Sequence, residues 1–301
     1  MAESNDPIAG AQLLAAMWSY AASVLEPTRA LKRSGVPVFN AVIGDEPLPI
    51  AQPALGPYFS LKNPKPVYLD HPTDHDHLVE EFDRIAEVYA ELVEPFSGPI
   101  FEEALARIAP ILPPDARVLD AGCGPGRELV RMARLVPQGE VVGVDLAAGM
   151  VTGAYRAARA AGLDNCAFFQ ADIAELPAEF EGRFDLAYNC LAHHHYPQPA
   201  AAAKAILRCL RPGGLYCVVD PGPAWYNRIG DPLARRGDPG FVGFHTPEEF
   251  RALFASAGFS RTCWIELLPG FGVAIGQKGP ASTPPSRKRP ARNGTRNGRH
   301  R

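Results

Sequence analysis

Apolar positions along the chain follow two periods. Leu78, Phe82, Ile85, Tyr89, Leu92 and Phe96 recur at steps of four and three, the stripe of an amphipathic helix. Pro99 opens a second predicted helix with Ile100, Phe101, Leu105 and Ile108. Short unalternated apolar runs then appear at Arg117 to Asp120, Glu140 to Asp145, Cys166 to Gln170, Phe184 to Asn189 and Leu215 to Asp220. Helix-like stretches separate them, at Arg127 to Val136, Gly149 to Ala161 and Pro199 to Leu210. Strands without polar alternation, spaced by helices, predict a parallel sheet covered on both faces. A further helix is punctuated by Thr246 as cap, Pro247 in its first turn, Glu249 completing a capping box and Gly258 at its end. Runs at Phe259 to Leu268 and Phe271 to Lys278, split by Pro269-Gly270, predict a terminal antiparallel pair.

The flanks differ from this body. Residues 1–77 begin with a predicted helix (Ile8 to Leu25) and continue through eight prolines between Val36 and Pro72. Proline fixes φ and removes a donor, so an extended, turn-rich segment is expected. It reads as a linker or as an arm lying on the body, its apolar residues favour the arm, and a lid, a homodimer arm and a substrate wall are its open readings. Residues 278–301 hold eight Lys or Arg, no acid and almost nothing apolar. Such a segment buries too little surface to offset its ordering entropy, and disorder is expected. The domain division is thus 1–77, 78–277 and 278–301.

Composition excludes several classes. Residues 1–277 keep 22 of the 30 basic residues against all 33 acids, a net −11. An acidic body argues against nucleic acid as partner, which needs a basic face. No apolar run reaches the ~18 residues of a membrane span, and the apolar stretch Ala11 to Leu25 lacks the basic flank of a signal peptide. None of the six cysteines has C-x-x-C spacing, so neither a zinc framework nor a disulfide framework is expected, and the cytoplasm is the expected location.

The chemistry centres on Val118-Leu119-Asp120-Ala121-Gly122-Cys123-Gly124-Pro125-Gly126, a strand entering a glycine turn that opens onto a helix. Glycine admits positive φ and close approach of a ligand. The spacing is G-x-G-x-G, one residue short of the dinucleotide fingerprint G-x-G-x-x-G, so a pyrophosphate cradle is the weaker reading. Nineteen residues on, the next strand ends at Asp145-Leu146. An acid there accepts hydrogen bonds from both ribose hydroxyls, or else caps the following helix. The third strand ends before Asp172-Ile173, suited to an adenine amino group and its ring, with Leu146 on the other face. The fourth ends in Asn189, followed by Cys190 to His195.

In this order the motifs resemble the class I S-adenosylmethionine-dependent methyltransferases. Asp120 to Gly126 resembles their first motif, Asp145 their ribose acid and Asp172 their adenine-side acid. Leu210-Arg-Pro-Gly-Gly214 is similar to the turn before their fifth strand, and Thr246 to Phe259 to a helix before their last strands. Asn189 to Pro199 (NCLAHHHYPQP) is similar to a segment of small-molecule members, including those of quinone biosynthesis. The resemblance implies a Rossmann-like α/β sandwich with a seven-stranded sheet whose last strand is antiparallel. It also implies S-adenosylmethionine as cofactor, a small-molecule methyl acceptor and direct in-line transfer. The cofactor-binding residues it implies are Tyr89, Asp120, Gly122, Gly124, Gly126, Asp145, Leu146, Asp172, Ile173 and Asn189. Asn189 is not followed by Pro-Pro-aromatic, which argues against nucleobase amines.

Two rival readings are a methyltransferase acting on RNA or protein through the basic tail, and a non-catalytic binder of the cofactor. A base is needed only for an unactivated hydroxyl acceptor. His194, His195 and His245 are the weak candidates, with His193 beside them and a structural role open for all. A long loop, Pro221 to Phe244, carries Trp225, Tyr226, Phe241, Phe244, Arg228, Arg235 and Arg236. It suits a flat, partly anionic acceptor. His71, His75 and His77 alternate with Asp70, Asp74 and Asp76; a polar linker or helix start is preferred there over a metal site.

Overall fold

The structure, a computed structural model, describes residues 66–69, 75–238 and 240–280. The predicted helix at Ile8 to Leu25, most of the proline-rich arm, the homodimer reading and the basic tail lie outside the described residues. Residues 66–69 run along the sheet edge: Val67 N–H donates to the Phe168 carbonyl at 2.9 Å, and Gln170 N–H donates to the Val67 carbonyl at 2.7 Å. They cover backbone groups that an edge strand would otherwise expose.

The first long helix, α1, spans Asp76–Ile108. Two helices split at Pro99 were expected, and one continuous helix is found. The amide missing at Pro99 removes one helical hydrogen bond. Ile100, Phe101, Ala104 and Ile108 beyond it are all buried in the larger core and hold the helix in place. The body then alternates: β1 (Arg117–Ala121), α2 (Arg127–Leu135), β2 (Glu140–Asp145), α3 (Ala148–Ala160), β3 (Cys166–Gln170), β4 (Phe184–Cys190), α4 (Pro199–Cys209), β5 (Leu210–Pro221), α5 (Ala224–Gly237), α6 (Pro247–Ala257), β6 (Arg261–Leu268) and β7 (Phe271–Gln277).

These strands form one seven-stranded sheet, ordered β3-β2-β1-β4-β5-β7-β6, with only β7 antiparallel to its neighbours. Side chains alternate across it. Val118 and Leu186 join the core beneath α1, α2 and α3, while Leu119, Ala187 and Val218 join the core beneath α4 and α6. β5 begins at Leu210, five residues before its predicted start, because Leu210 pairs with Phe184 ahead of a register shift. The segment Pro221 to Phe244 is not a plain loop. It folds into α5 and keeps Pro232 inside the helix.

The cap of α6 forms as its sequence dictates. Thr246 Oγ1 accepts from Glu249 N–H, and Glu249 Oε2 accepts from Thr246 N–H. Thr246→Ala is expected to cost about 1 kcal/mol, read as a thermal midpoint a few degrees lower. At the N-terminal ends of the strands, Glu140 pairs with Arg183 and Arg117, and Asp185 pairs with Arg211. The charged network lies at that end, and the opposite end of the sheet carries the cleft.

Candidate active site

The C-terminal ends of β1 to β4 surround a cleft enclosing about 1120 Å³ with its open mouth included. Sheet tips are where open α/β sheets bind ligands. The floor is the glycine turn. Gly122 and Cys123 donate to the Val144 carbonyl at 2.8 and 3.0 Å, so the turn is anchored on β2. Gly122, Gly124 and Gly126 all have positive φ, at 83°, 49° and 86°. The last two serve different ends. A Cβ on Gly126 would sit 2.4 Å from Ala154 Cα, against the backbone of α3, whereas one on Gly124 would meet nothing within 4 Å. Gly126 permits packing, and Gly124 leaves open space above the turn.

Asp145 stands at the tip of β2, half-buried. Its Oδ2 accepts from Gly124 N–H at 2.9 Å and its Oδ1 from Ala147 N–H at 3.0 Å. Burial pushes its carboxyl up, and these amides oppose the rise. Asp172 caps its own turn by accepting from Ala174 N–H at 2.7 Å, and its Oδ2 lies 3.6 Å from His75 Nε2. His75 also precedes α1, so of the acid–histidine run His75 and Asp76 mark a helix start; His71, Asp70 and Asp74 lie outside the described residues. Leu146 and Ile173 line the cleft, and Phe82 and Tyr89 of α1 lie across it, their rings 6.2 Å apart. Burial raises the Tyr89 hydroxyl, and the charges of Asp238, Glu128 and Asp145 raise it further.

Of the ten predicted contact residues, Tyr89, Gly122, Gly124, Asp145, Leu146, Asp172 and Ile173 line the cleft. Asp120, Gly126 and Asn189 do not. Asp120 is buried under the turn, and burial holds its carboxyl well above the usual range. Asn189 is enclosed: its amide donates to the Ala121 carbonyl at 2.6 Å and to Tyr196 Oη at 2.8 Å, and its Oδ1 accepts from His193 N–H at 3.0 Å. It ties the histidine turn to the end of β1. Glu128, which also lines the cleft, went unread in the sequence; an acid in the first turn after a glycine loop was the available signal.

The histidines separate by environment. Of the described histidines, only His195 lines the cleft. Its Nε2 lies 2.7 Å from Asp238 Oδ2. Burial opposes charge on His195, but Asp238 raises it overall, and His195 in turn holds the Asp238 carboxyl below its ordinary value despite burial. His194 is buried, its Nδ1 2.6 Å from Asp220 Oδ1. Burial pushes His194 well down and Asp220 well up. His193 and His245 meet edge to face at 5.0 Å and pack on Phe250 at 5.0 and 5.4 Å, away from the cleft.

The aromatic and arginine residues at Pro221 to Phe244 do not line the cleft either. Phe241 and Phe244 pack on His194, Arg235 lies over Phe241, and Tyr226 packs on Phe271. Trp225 is exposed. The segment is the wall behind the histidines, because α5 lies across the end of the sheet.

Residues 118–214 match a family model described as a methyltransferase domain. The chain is 37% identical over 165 residues to the trans-aconitate 2-methyltransferase of Deinococcus radiodurans, covering 53% of this chain and 59% of that protein. It therefore spans less than two thirds of that relative. It is 32% identical over 179 residues to the demethylmenaquinone methyltransferase of Thermus thermophilus, covering 52% of this chain and 79% of that protein. A solved S-adenosylmethionine-dependent methyltransferase of Aquifex aeolicus shares the fold at 17% identity, with a TM-score of 0.54 over 65% of this chain and 97% of that one. Among the described residues, no helix is long and apolar enough to cross a membrane.

Proposed function

Because this chain belongs to the class I S-adenosylmethionine-dependent methyltransferases, we propose that it transfers a methyl group from that cofactor to a small-molecule acceptor by direct in-line displacement. The observation that carries the reading is the open glycine turn at Gly124 with the Asp145 carboxylate bonded to it, at the tips of adjacent parallel strands. The residues present fit the group. Gly124 leaves room for a close backbone approach, and the carboxylates of Asp145 and Glu128 line the same cleft.

When bound, S-adenosylmethionine supplies a methyl group on a sulfonium whose leaving group is a neutral thioether. Asp145 would accept from the ribose hydroxyls; each of its oxygens keeps a lone pair beyond the backbone bond it already accepts. Asp172 would accept from the adenine amino group, with Leu146 and Ile173 flanking the ring. Tyr89 and Phe82 would cover the reacting end and exclude water. Asp120, Gly126 and Asn189 would act from behind, holding the turn in shape. The residues must keep the acceptor roughly 3–3.5 Å from the methyl carbon and in line.

The test is a labelled-methyl assay against cell extract, with mass spectrometry of the product. A labelled small molecule formed by the native protein and lost in Asp145→Ala supports the reading; label found only in RNA or protein overturns it. Truncation after residue 280 separates the same possibilities. Turnover of a small acceptor is expected to persist within twofold, whereas recruitment of RNA by the basic residues 287–289 would collapse.

A further inference from the structure

Beyond the cofactor cleft, the histidine turn and the end of α5 meet in a second cluster. We propose that His194, His195 and Asp238 form a site for one divalent transition-metal ion of the zinc class, opening onto the cleft beside Tyr89. One ligand atom from each residue lies within 4.8 Å of the other two. In a tetrahedral zinc site with bonds near 2.1 Å, neighbouring ligand atoms sit about 3.4 Å apart. The His195–Asp238 contact of 2.7 Å would need to open by a fraction of an ångström.

Three features support the assignment. Asp220, fully buried, engages Nδ1 of His194 and leaves Nε2 as the nitrogen for a ligand bond. A carboxylate on the far nitrogen is the usual support of a metal-bound imidazole. Asp238 is oriented by Gly240 N–H on its Oδ1 at 3.0 Å, and the His194 carbonyl accepts from Val242 N–H at 2.8 Å, which clamps the two segments together. Leu191, which enters the histidine turn, has a φ of 55°, alone among the described non-glycine residues in being positive. Strain of this kind, of order 1–3 kcal/mol, persists where the surroundings over-determine a geometry.

Glu81, also buried, stands beside the cluster, its Oε2 3.3 Å from where a Cβ on Gly240 would sit. Two imidazoles with a carboxylate suit zinc, cobalt, iron or nickel; magnesium and calcium prefer all-oxygen sets. Since His195 lines the cleft, the remaining coordination positions would face it and would take an oxygen atom of the acceptor.

The test uses the full chain after chelator treatment, titrated with Co²⁺ for its visible absorption and with Zn²⁺ by calorimetry. One equivalent is expected to bind with bands of nitrogen- and oxygen-ligated cobalt. His195→Ala and Asp238→Asn should each weaken binding at least tenfold, and His77→Ala should leave it unchanged. Circular dichroism and S-adenosylhomocysteine affinity establish that each variant is folded, and His195→Gln replaces His195→Ala if that one is not. No saturable binding of either ion at micromolar protein overturns the site, as does binding that survives both substitutions or is abolished by His77→Ala. Neither readout involves turnover, so failure here leaves the methyl-transfer reading standing, and failure to bind S-adenosylhomocysteine would strike that reading alone.

Discussion

Asp145→Ala is expected to weaken S-adenosylhomocysteine binding at least tenfold, measured by calorimetry on the full chain. The proposed ribose contacts are charge-assisted hydrogen bonds, each worth ~1.5–3 kcal/mol net, and tenfold corresponds to about 1.4 kcal/mol. The substitution also removes the acceptors of Gly124 and Ala147 N–H. Both bonds hold the turn ahead of α3, so a stability loss of about 1 kcal/mol should accompany the change. For a body of this size that is a fall of roughly 2–4 °C in thermal midpoint. Asp145→Asn keeps an acceptor for one amide and loses the charge, and it should fall between the two. Unchanged affinity in a folded Asp145→Ala protein would remove Asp145 from the site.

The glycine turn gives the second large effect, and its two halves should separate. Gly126→Ala forces a Cβ to within 2.4 Å of the α3 backbone at a φ of 86°. Neither the helix nor the turn can yield cheaply, because Ala154 is itself fully buried. A loss of about 3 kcal/mol or more is expected, near the upper range of single substitutions, which is a fall of roughly 10 °C. Gly124→Ala meets no atom and carries only the conformational cost of a left-handed residue, about 1–2 kcal/mol. Its main effect should be on ligand affinity, where the methyl would occupy the space above the turn. If Gly124→Ala bound S-adenosylhomocysteine like the native protein, close approach at this turn would be wrong.

Much of this architecture is written locally. β2 and β3 lie where unbroken apolar runs predict them, and the capping box of α6 forms from residues three apart. The acids at the sheet tips are legible because a strand end and a glycine turn define their place. Less legible was α1. Pro99 signals a break by its chemistry, and burial of the four apolar residues beyond it overrides that signal. In α5 the helical signal was masked by Pro232 and by glycines. Glu81 sits inside the apolar stripe of α1, between Leu78 and Ile85, and a polar residue in that place was a sign that something faced it.

Strand order of type and the composition of the cofactor cleft follow from the chain's own periodicity, since hydrogen bonding and side-chain alternation act over a few residues. The sides of the cleft follow from packing. Asn189 and Asp120 belong to the same motifs as the lining residues, yet they are enclosed because their strands are central in the sheet and both faces are covered. His195 and Asp238 lie 43 residues apart, and no spacing rule joins them. They meet because the residues just past α5 fold back on the histidine turn, where Val242 N–H donates to the His194 carbonyl at 2.8 Å and Phe241 packs on His194.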